Sequence, residues 1–459
     1  MGDLPVWSQM LLELRESRRW SRMDLARALR ALASTLGVQR IAAALPDSIR
    51  QTIKRWETKG IRPDQRYCLL LAHLYAVRDD RSDLGPGSDF DRLFVAFELM
   101  GVPQKDCDDL RRLVARINTG GSRSFLSFLS GELQQRIMHA LADPDRVDLV
   151  TMQQLQAAVT TIRRRGSGGM PMVRMLLAVA PFVEVLKRLL DGSQADPIRQ
   201  ALCVCSVQAF TCAGSLSFDL RDSDSMQAFY DDADLAAREL RDGWLGGFSL
   251  SSRSMILLHG FAAKRDALAL AQQACKRADA GSSLLTRART RAILAEMEAA
   301  QGPGHERRSQ HELTLAKFHV DGDCIDDPAS DFYAETRHGG VEGMRAHVNA
   351  FDGVCLMHLG RWDDAERVLA QAVAGLPRND ADKQKSIILS DQALVAVKLG
   401  NPEQSASLLG QAIAIAARLG GSVPTLRIRE VRRELGYRWP GDGRLREIDD
   451  RLQAARLLT

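Results

Sequence analysis

Side chains suited to binding an anionic partner recur within residues 47–63, DSIRQTIKRWETKGIRP. In a helix, four of them share one face: Arg50, Gln51, Lys54 and Arg55. Arginine and glutamine can form paired hydrogen bonds with purine edges, and lysine neutralises phosphate charge. A solvated basic face is the ordinary alternative for such a pattern, and the surrounding elements must decide between the two.

The segment that carries these side chains is predicted to be a helix with defined ends. Three apolar residues form the stripe that should face a core: Ile49, Ile53 and Trp56. Asp47 and Ser48 are expected to cap the N-terminus by accepting hydrogen bonds from backbone N–H groups. Gly60 is expected to form a left-handed C-cap, and Pro63 prevents the helix from resuming at once. Trp56 is therefore predicted to lie in the core and not to stack on a base.

The charge of the chain is concentrated at its N-terminus. Residues 1–78 carry 14 Lys+Arg against 7 Asp+Glu, a surplus of 7, whereas the remaining residues carry 48 against 51. Such a distribution favours an anionic partner for the N-terminal part. Aromatic residues make up 5% of the sequence and form no stacking platform for single strands. Duplex DNA is therefore the expected partner.

Further helices are predicted around this segment. Residues 6–18 show a helical pattern, with Glu13, Arg15 and Arg18 expected on the polar side. Ser21 is expected to cap a second helix that continues through Leu29. Residues 41–45 form a short apolar piece, and residues 67–77 form another amphipathic helix. Residues 78–89 are polar and rich in Gly and Asp, which predicts a linker.

Three of these blocks, WSRMDLARAL, IKRWETKGIRP and LLLAHLYAV, resemble the helix-turn-helix of the Cro/xenobiotic-response-element family. Ser21-Arg22 stands where that family usually has Ser-Gln, and Trp56-Glu57 opens its second motif block. The turn between the two helices is lengthened by residues 33–46, an expansion also shown by a related subgroup of bacterial regulators. The docking angle of the second helix is therefore left open.

The resemblance and the helix geometry together predict a DNA-binding surface. Arg50 and Gln51 should lie nearest the base edges in the major groove, while the other cationic and hydroxyl side chains contact phosphates. The predicted DNA-binding residues are Ser21, Arg22, Ser48, Arg50, Gln51, Thr52, Lys54, Arg55, Lys59 and Arg62. A helix-turn-helix used only for protein contact is the alternative.

The second half contains an internal repeat. The series Gly353, Leu359-Gly360, Ala365, Leu369, Ala372 recurs forty residues later as Ala393, Leu399-Gly400, Ser405, Leu409, Ala412. Small residues let two antiparallel helices approach closely, and leucine fills the seam between them. These units resemble degenerate tetratricopeptide repeats, which lack the usual Trp-Leu-Gly start.

The fold class predicted for the whole chain is all-α, because no stretch shows sustained β alternation. We expect a helix-turn-helix DNA-binding domain at residues 1–79 and a helical linker region at 80–145. Residues 146–459 should form an α-solenoid of degenerate tetratricopeptide-like hairpins with capping helices at its end.

The combined order of domains resembles a group of transcription regulators abundant in actinobacterial genomes. The resemblance implies a sequence-specific, homodimeric regulator whose repeat domain senses a peptide or small-molecule signal. The alternative is a repeat-based scaffold that docks RNA polymerase or another protein. Paired half-sites are expected, because a single helix-turn-helix buries too little surface to be specific.

Enzymatic chemistry is not expected, and neither a cofactor nor a metal ion is predicted. The histidines lack the spacing of a zinc-protease helix, and the acidic loop at 321–327 fails the EF-hand pattern. The eight cysteines form no CxxC pair, and the sequence shows no secretion signal and no run of 18 apolar residues. A cytoplasmic protein without a membrane span is therefore expected. No ligand-binding residue is assigned, although residues 302–340 and the adjoining concave faces are the first place to look.

Overall fold

The computed structural model divides the chain into two compact units, Met1–Ala142 and Asp143–Thr459. The structure describes residues 4–35, 38–78, 81–102, 104, 107–108, 110–111, 114, 131–167, 172–220, 222–334, 340–376, 382–419, 422–455 and 457.

The first unit is built from helices and one short hairpin. The helices whose bounds the structure describes are α1 (Val6–Ser17), α2 (Arg22–Thr35), α3 (Gln39–Ala43), α4 (Pro46–Lys59), α5 (Gln65–Tyr75), α6 (Asp89–Leu99) and α7 (Gly131–Ala142). The lengthened turn between the two helices of the predicted helix-turn-helix, α2 and α4, thus contains a five-residue helix, α3. It packs on α2, and Nε of Arg30 donates to the carbonyl of Ala42 at 3.0 Å.

The core of the first unit forms where α4 and α5 meet α1, α2 and α6. The apolar stripe of α4 is buried as predicted, with Ile53 fully buried and Trp56 2% exposed. The Trp56 ring meets Tyr67 edge-on at 4.9 Å between centroids. Burial of this stripe turns the opposite face of α4 to solvent.

The predicted linker at residues 78–89 lies within the first unit. Two short strands, Val77–Arg78 and Arg81–Ser82, pair antiparallel, and Oγ of Ser88 caps α6 by accepting from the backbone N–H of Asp91. Helix α6 then contributes aromatic side chains to the same core as α1–α5: Phe90, Phe94 and Phe97. The polar composition of residues 78–89 indicated a linker, but composition does not show whether the helix that follows shares a core with the helices before it.

The second unit is a succession of helices. They are α8 (Leu149–Ser167), α9 (Met172–Leu190), α10 (Asp196–Asp219), α11 (Ser223–Arg238), α12 (Trp244–Phe261), α13 (Lys264–Asp279), α14 (Leu284–Ala299), α15 (Glu306–Val320), α16 (Ser330–Ala334), α17 (Gly340–His358), α18 (Trp362–Ala374), α19 (Asp382–Leu399), α20 (Pro402–Leu419), α21 (Ser422–Arg438) and α22 (Gly443–Ala454). Two 3₁₀ turns, Pro144–Arg146 and Pro303–His305, complete the described elements.

Six hairpins organise this unit from α10 onward: α10/α11, α12/α13, α14/α15, α17/α18, α19/α20 and α21/α22. First helices of successive hairpins also pack on each other, and α10 contacts α21. The all-α fold class is confirmed. The solenoid arrangement stays a prediction.

The small residues of the forty-residue repeat lie where the paired helices pack on each other. A Cβ on Gly353 would lie 2.6 Å from Cδ2 of Leu369, so a small residue is required where α17 meets α18. Gly360 and Gly400 end the first helices of two hairpins with φ values of +76° and +86°. In the second copy, Oγ of Ser405 donates to the carbonyl of Ala393 at 2.8 Å. Small residues therefore allow the paired helices to pack closely, and a serine hydroxyl forms a hydrogen bond between them.

Two features bear on location and redox state. All eight cysteines are free.

Among the described helices, α10 alone is long and apolar enough to cross a membrane by length and composition, and 78% of its most apolar window is buried inside the protein. Core helices of this kind pass the same test.

Candidate nucleic-acid interface and ligand cavity

Helix α4 begins differently from the prediction. Its N-cap is Leu45 and Pro46 occupies the first turn, so neither Asp47 nor Ser48 caps the helix with its side chain. Proline is suited to this position because the first backbone N–H groups have no partner inside the helix. The Asp47 carboxylate instead pairs with Arg50, with 2.9 Å between Oδ1 and Nε. The capping prediction was wrong by two residues, and the consequence is that Asp47 orients Arg50.

The outward face of α4 carries most of the predicted DNA-binding residues. Six of them are exposed: Ser48, Gln51, Lys54, Arg55, Lys59 and Arg62. Arg50 is half-buried, and its side chain remains 36% exposed. The Thr52 hydroxyl donates to the carbonyl of Ser48 at 3.0 Å, which ties it to its own helix. The face therefore presents cations and one amide to solvent.

The start of α2 is fixed by a reciprocal cap. Oγ of Ser21 accepts from the backbone N–H of Asp24, and the Asp24 carboxylate accepts from the N–H of Ser21 at 2.9 Å. Hydrogen bonding of the Asp24 carboxylate to the side chain and the backbone of Ser21 lowers the pKa of Asp24. Ser21 is thus both exposed and a helix cap, whereas Arg22 points its Nε at Oε2 of Glu57, 2.6 Å away.

A buried carboxylate holds α4 against the first two helices. Glu57 is 4% exposed, and it receives Nε and Nη2 of Arg15 at 2.7 and 3.2 Å in addition to Arg22. Such two-pronged pairing restricts orientation more than a single contact does. The sequence analysis missed this role because it placed Arg15 on the polar side of α1. The Trp56-Glu57 motif block was the available signal.

Arg18 was also predicted to face solvent, and the structure corrects this as well. Its guanidinium donates to backbone carbonyls at the end of α5 and pairs with Asp89 at 2.9 Å. It also lies over the ring of Tyr75, 4.7 Å from the centroid. Arg18 therefore joins the ends of α1 and α5 to the start of α6.

The C-terminus of α4 is held by the segment that begins α1. Gly60 forms the predicted left-handed cap, with φ of +61°, and a Cβ there would lie 2.9 Å from Cδ of Pro5. Oγ of Ser8 donates to the carbonyl of Trp56 at 2.6 Å. With Glu57, these contacts fix the axis of α4 in the unit.

A cavity of about 260 Å³ lies inside the second unit. The first helix of each of the six hairpins contributes to its lining, through Gln208, Met255, Ile293, Phe351, Ile388 and Arg427. Among the residues that the structure describes, none in the range 302–340, which the sequence pattern suggested as the first place for a ligand, lines this cavity. A site built from helices spread along 200 or so residues has no local sequence signal.

Buried charges meet at one wall of this cavity. Glu296 and Asp391 are each 1% exposed. Nη1 of Arg427 lies 3.3 Å from Oδ1 of Asp391, and Nη2 lies 3.9 Å from Oε1 of Glu296. The same Glu296 oxygen lies 3.0 Å from Nε2 of His259 and 3.6 Å from Nε2 of His358.

The two carboxylates respond differently to burial. Burial by itself would raise the pKa of Glu296, but His259 and His358 beside it lower that pKa below its ordinary value. Burial raises the pKa of Asp391, since Arg427 offsets the loss of water only in part. Glu296 is therefore ionised, and Asp391 is the less compensated group.

Among the described residues, no group of three or more His, Cys, Asp or Glu side chains is placed to hold a metal ion. Comparison with protein-family models, with curated proteins and with solved structures finds no match for this chain. The functional assignment therefore depends on the two sites themselves.

Proposed function

We propose that this protein is a DNA-binding transcription regulator whose first unit reads duplex DNA and whose second unit senses a signal. The observation that carries the proposal is the exposed face of α4, where Gln51, Lys54 and Arg55 point away from a buried apolar stripe. A helix of this kind, held by buried ion pairs, can enter a major groove as a rigid element.

Charge and rigidity support this assignment together. The basic surplus of residues 1–78 provides the attraction to phosphates that gives most of the non-specific affinity. Ser21, Lys59 and Arg62 are exposed and are assigned to phosphates, while Arg50 and Gln51 are assigned to bases. Arg22 keeps its ion pair with Glu57, so its assigned phosphate contact uses the guanidinium atoms that face away from the carboxylate.

The second unit supplies a place for a signal. Its interior cavity combines apolar walls with a few buried polar groups, the usual composition of a small-molecule site. A homodimer that places two α4 helices on paired half-sites would give the specificity that a single unit lacks. The scaffold alternative would leave the exposed face of α4 without a duplex partner.

Selection of binding sequences from random duplexes, with the intact chain, tests the proposal. We expect enrichment of one sequence with two half-sites. On that duplex, the double variant Lys54→Ala/Arg55→Ala should bind about tenfold more weakly or worse at physiological salt.

The matched control removes two exposed cations from the second unit, Arg433→Ala/Arg446→Ala, and should retain affinity. Failure to enrich any sequence, or an equal loss in the control, would reject the DNA-binding function. Recovery of RNA polymerase or another protein by a chain lacking the cations of α4 would then favour the scaffold alternative.

A further inference from the structure

The carboxylates of the cavity have hydrogen-bonding capacity that the protein does not use. Within the described part of the chain, neither oxygen of Asp391 and neither oxygen of Glu296 accepts an aligned hydrogen bond. Both side chains line the cavity and are almost fully buried. A buried carboxylate without donors loses the solvation it would have in water, so a donor at this place would stabilise it.

One guanidinium is shared between the two carboxylates. Nη1 of Arg427 lies 3.3 Å from Oδ1 of Asp391, and Nη2 lies 3.9 Å from Oε1 of Glu296 and 3.4 Å from Nδ1 of His259. Because Arg427 divides its contacts among three side chains, it leaves both carboxylates of this wall with oxygens that can accept a further donor.

The other described cations that line the cavity are already engaged. Lys383 pairs with Asp219 at 2.6 Å. The Arg289 guanidinium donates to the hydroxyls of Ser251 and Ser252, and the Arg163 guanidinium lies 3.6 Å from the ring centroid of Phe332.

The unmet groups where Arg427 meets the two carboxylates are mostly acceptors. Within the described part of the chain, four carboxylate oxygens of Asp391 and Glu296 lack an aligned partner, against one donor of that guanidinium, Nε of Arg427. A ligand that brings several donors therefore suits this wall best.

We propose that this cavity binds a small organic cation, an apolar chain that ends in an ammonium group, with the ammonium beside Asp391 and Glu296. The apolar chain packs against Phe351, Val354 and Ile388, which line the same cavity. An ammonium group offers three donors to the unused carboxylate oxygens and places a positive charge beside them. An effect of this binding on DNA affinity rests on the proposed function, whereas the binding of the cation does not.

Calorimetry on the intact wild-type chain with hexylamine, hexanol and hexanoate tests the proposal, since the three probes share one apolar chain. We expect hexylamine to bind at least about tenfold more tightly than the other two, as a charge-assisted hydrogen bond requires. Tighter binding of hexanoate or hexanol, or no binding of hexylamine, would overturn the proposal. This comparison needs no variant and so does not depend on the folding of one.

Variants then locate the site. Asp391→Asn should weaken hexylamine at least about tenfold, while the exposed control Asp450→Asn should not. Equal affinity in Asp391→Asn with native circular dichroism would reject the assigned site. The same ammonium chemistry could come from the free amino terminus of a short peptide. Trileucine and N-acetyl-trileucine separate the two sources, because only the unblocked peptide carries the cation.

Binding of hexylamine and its effect on DNA affinity are two separate measurements. If hexylamine binds without changing affinity for the selected duplex, the cation site stands and the sensing part of the proposed function falls. If no duplex is selected at all, the calorimetry still decides the cation site.

Discussion

Arg22 and Glu57 join the two helices of the predicted helix-turn-helix, with 2.6 Å between Nε and Oε2. The carboxylate is buried, and Arg15 approaches it from α1 with two further hydrogen bonds. The axis of α4 relative to α2 is therefore set by an ion cluster as well as by apolar packing. This relationship links stability of the first unit to the presentation of the α4 surface.

Replacing the carboxylate should loosen α4. We expect Glu57→Gln to lower the free energy of unfolding of the first unit by about 3 kcal/mol, because the buried Arg15 then keeps only the exposed Glu16 as a charge partner. Hydrogen exchange of the intact chain should then show faster exchange in α4. The control Glu13→Gln disrupts an exposed pair with Arg92 and should change stability by less than about 1 kcal/mol. Unchanged exchange in Glu57→Gln would mean that apolar packing alone holds the helix.

Arg50→Ala should relax sequence specificity. Arg50 lies in the N-terminal half of α4, where a guanidinium can bind guanine in a bidentate manner. We expect a loss of about 1–3 kcal/mol on the selected duplex and a smaller loss on duplexes changed at one base position. Gel-shift titration across single-base variants measures this difference. An equal loss on every sequence would remove Arg50 from the base-reading group.

Arg62→Ala should weaken binding to all sequences alike. Arg62 is exposed beyond the C-cap of α4 and is assigned to a phosphate. Loss of one phosphate contact should flatten the slope of log affinity against log salt by about one unit. Titrations at several salt concentrations give the slope, and a slope equal to that of wild type would contradict the assignment.

His73 should make the first unit sensitive to mild acid. Burial lowers the pKa of His73 to about 4, against an ordinary value near 6.5. The unfolded chain therefore takes up this proton first as pH falls. Stability that is fully present above about pH 6.5 should decline by about 3 kcal/mol as pH approaches 4.

The measurement is the difference in urea midpoint between wild type and His73→Leu at each pH. We expect wild type to lose about 3 kcal/mol relative to His73→Leu as pH falls from 7 to 4, because only wild type carries this proton linkage. The exposed control His311→Gln should keep a constant offset from wild type. Parallel curves for His73→Leu would show that His73 ionises in the folded state.

Gly353→Val should separate α17 from α18. A Cβ at this position would lie 2.6 Å from both Cδ2 and Cγ of Leu369, so the helices must move apart. Overpacking of this kind costs about 1–3 kcal/mol, which thermal unfolding of the intact chain can detect. Gly304→Ala is the matched control, because a Cβ there meets no atom within 4 Å. An equal Tm for both variants would show that α17 and α18 accommodate the larger side chain without a loss of stability.

Local features of the fold could be predicted from the sequence because they depend on nearby residues. The buried stripe of Ile49, Ile53 and Trp56 follows from helical spacing, and the Gly60 cap follows from the conformational freedom of glycine. The small residues at the hairpin seams followed from a repeat of forty residues in the sequence. For these features, interactions between residues close in the sequence are sufficient.

Only the tertiary structure decided where charged groups lie. Arg15 and Arg18 have the sequence context of surface residues, yet both are nearly buried in the folded protein. Each pairs with a carboxylate more than forty positions away, Glu57 and Asp89 respectively. The cavity is a stronger case, since Asp391 and Glu296 come from different hairpins and meet at one wall only once those hairpins have packed. Burial of a charge depends on partners that folding brings from distant positions, and the spacing of residues within one helix does not encode those partners.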